Sequence, residues 1–261
     1  MTIWDKIKYQ FTNGDSAVRQ IIIVNLAVFI FQILVGVVAT LYKFKPEDFL
    51  QYFFLLSDLD SLLVRPWTLI TNIFFHRDFT HIFMNLLVLF LIGRILEGFI
   101  SSRKFWQIFF FGGIAGSLLY VFSYNFFPIF YESNSIGELV GCSGGVTAII
   151  AATGVYLPRY EVRLFFSKIR IELRWIALIL IFRDLYAFPD GENLGGLLAH
   201  LGGVIFGAFY ILKMQGRIKF PTFNLDKLKP KRAKKVVYEE REVKDETSTA
   251  KKTKPNQEAI D

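Results

Sequence analysis

Residues Gly141 to Val146 read GCSGGV and open an apolar segment that continues as TAIIAATGVYLP. Ser143 stands there among glycines. A hydroxyl without a partner is costly in an apolar helix, so this one needs either a hydrogen bond or a task. The stretch by itself leaves two readings open. In one, Ser143 is a packing contact, because small residues let membrane helices approach closely and serine bonds across them. In the other it is a nucleophile, which requires a base to take its proton. The chain holds three histidines, His76, His81 and His200, and all three bear on that choice.

The surroundings of the stretch fix the class. Of 261 residues 53% are hydrophobic, 29 are phenylalanine, and the mean hydropathy is +0.39. A soluble domain of this length is far less apolar, so the chain reads as an all-α, polytopic membrane bundle. The net charge of +7 is concentrated at one end. From Lys213 onward there are 14 Lys or Arg against 8 Asp or Glu, and the remainder is nearly neutral with 16 against 15. A nucleic-acid partner would have only this tail to bind, and none is expected. The single cysteine, Cys142, rules out an internal disulfide. No H-E-x-x-H occurs, and His76 and His81, five apart, are expected to diverge on a helix, so neither a metal nor another cofactor is expected.

Six spans are expected. They run from Ile21 to Tyr42, Phe79 to Ile100, Phe105 to Tyr124, Val140 to Leu157, Ile171 to Phe188 and Leu194 to Met214. Residues 1–20 form a polar lead-in, 21–214 the membrane domain, and 215–261 a basic and then mixed-charge tail expected to be disordered. The stretch from Lys43 to Phe75 mixes charges with aromatic clusters and is expected to be a long interfacial loop, with Tyr52 and Trp67 at the headgroup level. The loops sort by charge. Lys6, Lys8, Arg19, Arg103, Lys104, Arg159, Arg163, Lys168 and Arg170 fall on one side together with the tail. The loops Asn125 to Gly137 and Pro189 to Asn193 carry no Lys or Arg. By the positive-inside rule both termini are cytoplasmic. The run Lys227 to Lys235 holds six basic residues; it serves as a topogenic cluster and could also meet anionic lipid.

Helical spacing places His200, Gly203 and Gly207 on one face of the sixth span, with Gly203 and Gly207 forming a G-x-x-x-G surface. Gly144, Ala148 and Ala152 make a matching stripe on the fourth span, beside Ser143 and Thr147. If these smooth faces meet, the serine oxygen and the imidazole come within reach of each other. His81 and Asn85 (i, i+4) share a face near the outer end of the second span, and both are donors of the kind an oxyanion needs. Neither the fourth nor the sixth span offers an acid near the pair, which fits a two-residue Ser–His arrangement. Cys142, adjacent to Ser143, points about 100° away on a helix and is not expected to be the nucleophile.

These three motifs, G-x-S-G on the fourth span, H-x-x-x-N on the second and A-H-x-x-G-x-x-x-G on the sixth, resemble the rhomboid family of intramembrane serine proteases. The resemblance covers about Val64 to Met214 and implies the six-helix bacterial type, and with it a bacterial inner (plasma) membrane. It makes Ser143 the nucleophile, His200 its general base, and His81, Asn85 and the Ser143 N–H the oxyanion hole. It also implies a water-filled cavity open to the outer face, and substrates that are single-pass membrane proteins with easily unwound helices. Gly141, Gly144, Gly203 and Gly207 would support the site. His76 matches a histidine that is structural in the family. Glu97 matches the acid that ends the second helix, and is expected to pack with Arg94. One departure is Thr147, four residues after the serine, where family members often carry an aromatic ring that packs on the catalytic imidazole.

Other classes fit the same residues less closely. GCSGG also satisfies the G-x-S-x-G elbow of α/β-hydrolases, but that motif has meaning only between a strand and a soluble helix. A transporter would use Arg94, Glu97, Arg183 and Asp184 as intramembrane charges. The nearest rival is a catalytically inactive rhomboid-like protein that binds or escorts membrane clients; such relatives typically lack the serine or the histidine, and this chain has both. Charge sorting yields a direct test of orientation. A cysteine reporter at Asn134 should be labelled from outside intact cells and one at Ser248 should not; the reverse pattern would invert the topology.

Overall fold

A computed structural model describes residues 16–132, 136–163, 170–187 and 193–218. Residues 219–261, including Lys227 to Lys235, lie outside the described residues, as do residues 1–15. Six principal helices, α1 to α6, carry the fold: Ala17–Tyr42, Phe79–Glu97, Ser102–Phe126, Ser143–Tyr156, Leu173–Ala187 and Leu194–Met214. Among the described residues four of them, α1, α2, α3 and α6, are long and apolar enough to cross a membrane.

The other two are shorter than expected. Helix α4 has 14 residues and is about 21 Å long, against about 30 Å of hydrocarbon. It starts at Ser143 rather than Val140, because Gly141 turns the chain with φ +130°, in the left-handed region that glycine tolerates. Length is not what holds α4 in place. Residues 144–146 and 148–153 are all buried, as befits a helix that is apolar on every side and enclosed by protein. Helix α5 has 15 residues and follows directly on the extended segment Arg170–Glu172.

The core is a three-helix contact of α3, α4 and α6 made through small residues. A Cβ on Gly203 would overlap the Gly144 carbonyl oxygen and crowd Thr147, and one on Gly207 would overlap the Ala148 carbonyl. On the other side of α6, Gly116 of α3 lies against the Ala199 carbonyl. The backbones therefore touch directly. Lipid tails are as apolar as leucine, so close van der Waals packing of this kind is what drives helix association in a bilayer.

Helix α1 packs at its start and then faces outward. Ala17, Val18, Ile21 and Asn25 are buried, whereas Ile30, Ile33, Leu34 and Val38 are exposed. Its N-terminus is held by Glu97, which accepts from the Ser16 hydroxyl at 2.9 Å and the Val18 N–H at 3.0 Å. This corrects the expected Glu97–Arg94 pairing. A carboxylate placed on the free N–H groups of a helix start satisfies them and meets the positive end of the helix dipole. Arg94 instead lies over the Phe90 ring.

The expected interfacial loop has structure of its own. It contains the short helices Pro46–Leu50, Leu59–Val64 and Thr68–Thr71 and strand β1, Leu55–Leu56. Strand β1 pairs antiparallel with β2, Glu138–Leu139, in the register Leu55 opposite Leu139. Ser57 extends the link, exchanging bonds with the Gly137 backbone and accepting from Asn125. The loop is thus tied to the segment leading into Ser143. Trp67 and Tyr52 are exposed, with the indole N–H on the Tyr52 carbonyl. Strands β3, Glu161–Arg163, and β4, Arg170–Glu172, pair antiparallel between α4 and α5.

The packing contrast between glycines is testable. Gly203→Ala should destabilise the folded protein by about 1–3 kcal/mol through overpacking. Gly36→Ala, where nothing lies within 4 Å of the added Cβ, should be neutral or slightly stabilising. Thermal unfolding in detergent measures both, and equal effects would mean that the α4–α6 contact is not close.

Candidate active site

Ser143 is the first residue of α4, where N–H groups have no acceptor within the helix. The approach to it is pinned residue by residue. The Gly141 N–H donates to the Asn72 carbonyl at 2.9 Å. Asn72 is itself fixed by Ser117 of α3, with contacts of 3.1 and 3.2 Å. The Cys142 N–H donates to His76 Nε2 at 3.4 Å, and the Cys142 Sγ lies 3.3 Å from the same nitrogen. Gln32 of α1 holds the His76 backbone from both sides, donating to its carbonyl and accepting from its N–H. Cys142 is fully buried in this contact, away from the cavity described next.

Ser143, His200, His81 and Asn85 line one cavity of about 420 Å³, with Arg77 and Glu138 at its polar rim. The His81 ring lies over Gly141: a Cβ there would come 2.7 Å from His81 Cε1 and 2.9 Å from Nε2, and 3.7 Å from the Ser143 hydroxyl. Only a residue without a side chain fits between them, and the positive φ adds a second reason for glycine. Asn85 gives one side-chain N–H to the His81 carbonyl at 3.0 Å, which leaves its second donor for a ligand. Asp78 caps α2 by accepting from the His81 N–H at 2.8 Å, fixing the turn that carries His81. His76 and His81 do not diverge. His76 lies outside α2, and the two rings meet edge to face with centroids 5.2 Å apart.

On α6, the His200 Nδ1 lies 2.6 Å from Asp184 Oδ2. The other oxygen of Asp184 accepts from Arg183 Nε and Nη2 at 3.1 and 2.7 Å. An acid therefore does adjoin His200, contrary to the expectation drawn from the fourth and sixth spans, because it arrives from α5. The sequence signal for it was a charged pair in an apolar helix, which is a functional pointer by default. Thr147 has its hydroxyl 3.0 Å from the Gly144 carbonyl and 3.1 Å from the His200 carbonyl. It ties α4 to α6 beside the cavity. A narrower apolar cleft of about 110 Å³ continues from Ser143 and His200 between Val88 of α2 and Leu180 of α5.

The arrangement brings a hydroxyl at a helix start, an imidazole held through Nδ1, and several N–H donors to one cavity, as acyl transfer requires. Burial, followed by the neighbouring His81, pushes the His76 imidazole down to about 3. Between pH 6.5 and that value the unfolded chain binds a proton that the folded chain does not. Stability is therefore full above pH 6.5 and falls with acidification by up to about 1.4 kcal/mol per pH unit. His76→Gln should start less stable yet lose less between pH 6.5 and 4.5 in thermal melts; a slope equal to the parent's would remove His76 as the buried neutral group.

Comparison with known proteins agrees with this architecture. Residues 64–217 match the Rhomboid domain, a stretch that runs from the end of the interfacial loop through α6. RHOMBOID-like protein 12, mitochondrial, of Arabidopsis thaliana is 26% identical over 184 residues, covering 67% of this chain and 54% of that protein. Rhomboid protein 1, mitochondrial, of Saccharomyces cerevisiae is 25% identical over 170 residues, covering 62% of this chain and 45% of that protein. The chain thus spans about half the length of these curated relatives. With the domain matched over more than half of its length, and with a bundle of apolar helices around a buried short one, this chain is a multi-pass membrane protein of the rhomboid family.

Proposed function

We propose that the protein is an intramembrane serine endopeptidase that cleaves single-pass membrane proteins, with Ser143 as nucleophile and His200 as general base. The observation that carries this reading is the convergence of Ser143, His200, His81 and Asn85 on one cavity at the start of α4. In the first half-reaction the Ser143 oxygen attacks the scissile carbonyl carbon while His200 takes the hydroxyl proton. The oxygen of the tetrahedral intermediate becomes negative and is met by the Ser143 N–H, the second Asn85 donor and the His81 ring. As the intermediate collapses, His200 returns the proton to the departing amine, leaving an acyl group on Ser143. A water then repeats the sequence: His200 takes its proton, the acyl bond breaks, and the proton goes back to the serine oxygen.

The two cavities divide the work of substrate binding. A helix cannot present its peptide carbonyls to Ser143, since they are bonded within the helix, so the substrate must enter unwound. The polar cavity accepts extended backbone, and the apolar cleft between α2 and α5 accepts side chains or a flanking helix from the lipid side. Water needed for deacylation reaches Ser143 through the polar rim at Arg77 and Glu138. Loop charges favour cytoplasmic termini in a bacterial inner membrane, which puts the cavity on the outer side. In this reading residues 215–261 are a tail outside the catalytic domain, and Lys227 to Lys235 serve as a topogenic cluster that can also meet anionic lipid.

A serine-directed fluorophosphonate, together with cleavage of a panel of single-pass substrates in liposomes, tests the assignment. Labelling and cleavage should vanish in Ser143→Ala and fall steeply in His200→Ala. Asn85→Ala should lower kcat about 10- to 1000-fold with a smaller change in KM, because its bond strengthens only as charge develops. Cleavage that persists in Ser143→Ala would contradict the mechanism. Client binding without cleavage by the parent protein would favour an escort role.

A further inference from the structure

We propose that Asp184 is a positioning residue for His200, so that catalysis depends on a third member, Asp184, contributed by α5; the inference rests on the protease reading above. Its ground is the 2.6 Å contact between His200 Nδ1 and Asp184 Oδ2. A carboxylate in that position accepts the Nδ1 proton, and the imidazole is then held in the tautomer that leaves Nε2 with the lone pair. That is the form a general base must have. When Nε2 takes the Ser143 proton, the carboxylate faces the resulting imidazolium, and the charge developed on the ring meets an opposite charge already in place.

The carboxylate is itself oriented. Its second oxygen is taken by two nitrogens of Arg183, so neither oxygen is free to turn toward solvent. The side chain of Asp184 is 13% exposed, whereas that of Arg183 is 67% exposed. Arg183 thus supplies a countercharge from the rim, and an ionised acid is retained near the end of an apolar helix. Packing gives a second reason to assign the role to Asp184. Thr147, which lines the apolar cleft together with His200, gives its hydroxyl to the His200 backbone carbonyl rather than to the ring. Thr147 fixes where α6 lies, and Asp184 fixes how the ring is turned.

The test uses the full chain reconstituted in liposomes, with Asp184→Asn, Asp184→Glu, Ser143→Ala and His200→Ala compared on one substrate. Asp184→Asn should lower kcat about 100- to 10,000-fold, the scale expected when a base is left in the wrong tautomer. KM should change less than about threefold, and Asp184→Glu should recover part of the loss. A KM effect without a kcat effect would assign Asp184 to substrate binding and overturn the proposal. So would a kcat within twofold of the parent in Asp184→Asn while Ser143→Ala is inactive. Cleavage by Ser143→Ala would instead overturn the protease reading on which the proposal rests. Nitrogen-15 NMR of histidine-labelled protein provides a readout independent of turnover. With three histidines in the chain, His200 is assignable by difference, and its Nδ1 should carry the proton; protonation at Nε2 alone in the neutral ring would overturn the proposal.

Discussion

Everything in this molecule depends on backbones touching where α3, α4 and α6 meet. Gly203 and Gly207 lie on the carbonyls of Gly144 and Ala148, and Gly116 lies on that of Ala199. A bilayer supplies no hydrophobic drive to bring helices together, so contacts of this closeness must supply the association themselves. They also allow α4 to be short. A helix of about 21 Å cannot match the hydrocarbon thickness, but one wrapped in protein has no need to. Its first residue, Ser143, lines the cavity.

That cavity brings polar groups into an apolar setting, which is tolerated only if each of them has a partner. The irregular turn at residues 140–142 meets the condition by giving its N–H groups to Asn72 and His76. Those two are fixed in turn by Ser117 and Gln32. The network joins α1, the interfacial loop and α3 to the start of α4. It explains why residues far from Ser143 in sequence bear on where its hydroxyl stands. On the other wall Thr147 and Asp184 connect α4 and α5 to His200. With His81 and Asn85 supplied by α2, the proposed chemistry has all six principal helices behind it.

The bundle was legible in the sequence because apolar run lengths and the G-x-x-x-G stripe follow from local spacing. The rhomboid motifs located the residues that line the cavity. What escaped was what depends on partners brought from elsewhere. Apolar run length overstates α4, because composition does not distinguish a span facing lipid from one enclosed by protein. Local spacing pairs Glu97 with Arg94, one turn away, whereas the start of α1, distant in sequence, offers the N–H groups that Glu97 accepts from. In the sequence Asp184 stands among several scattered intramembrane charges, since nothing in its own segment indicates that α5 turns it toward His200. Pairwise contacts between helices are set by packing, and packing is not written in any single helix.

The most direct test of the central claim is a structure of the protein after reaction with a phosphonate. The account predicts a covalent bond from phosphorus to the Ser143 oxygen. It also predicts a phosphoryl oxygen within hydrogen-bond reach of the Ser143 N–H and of Asn85 or His81, on the wall of the cavity that faces Gly141. An adduct on another residue, or a phosphoryl oxygen turned away from all three donors, would contradict it.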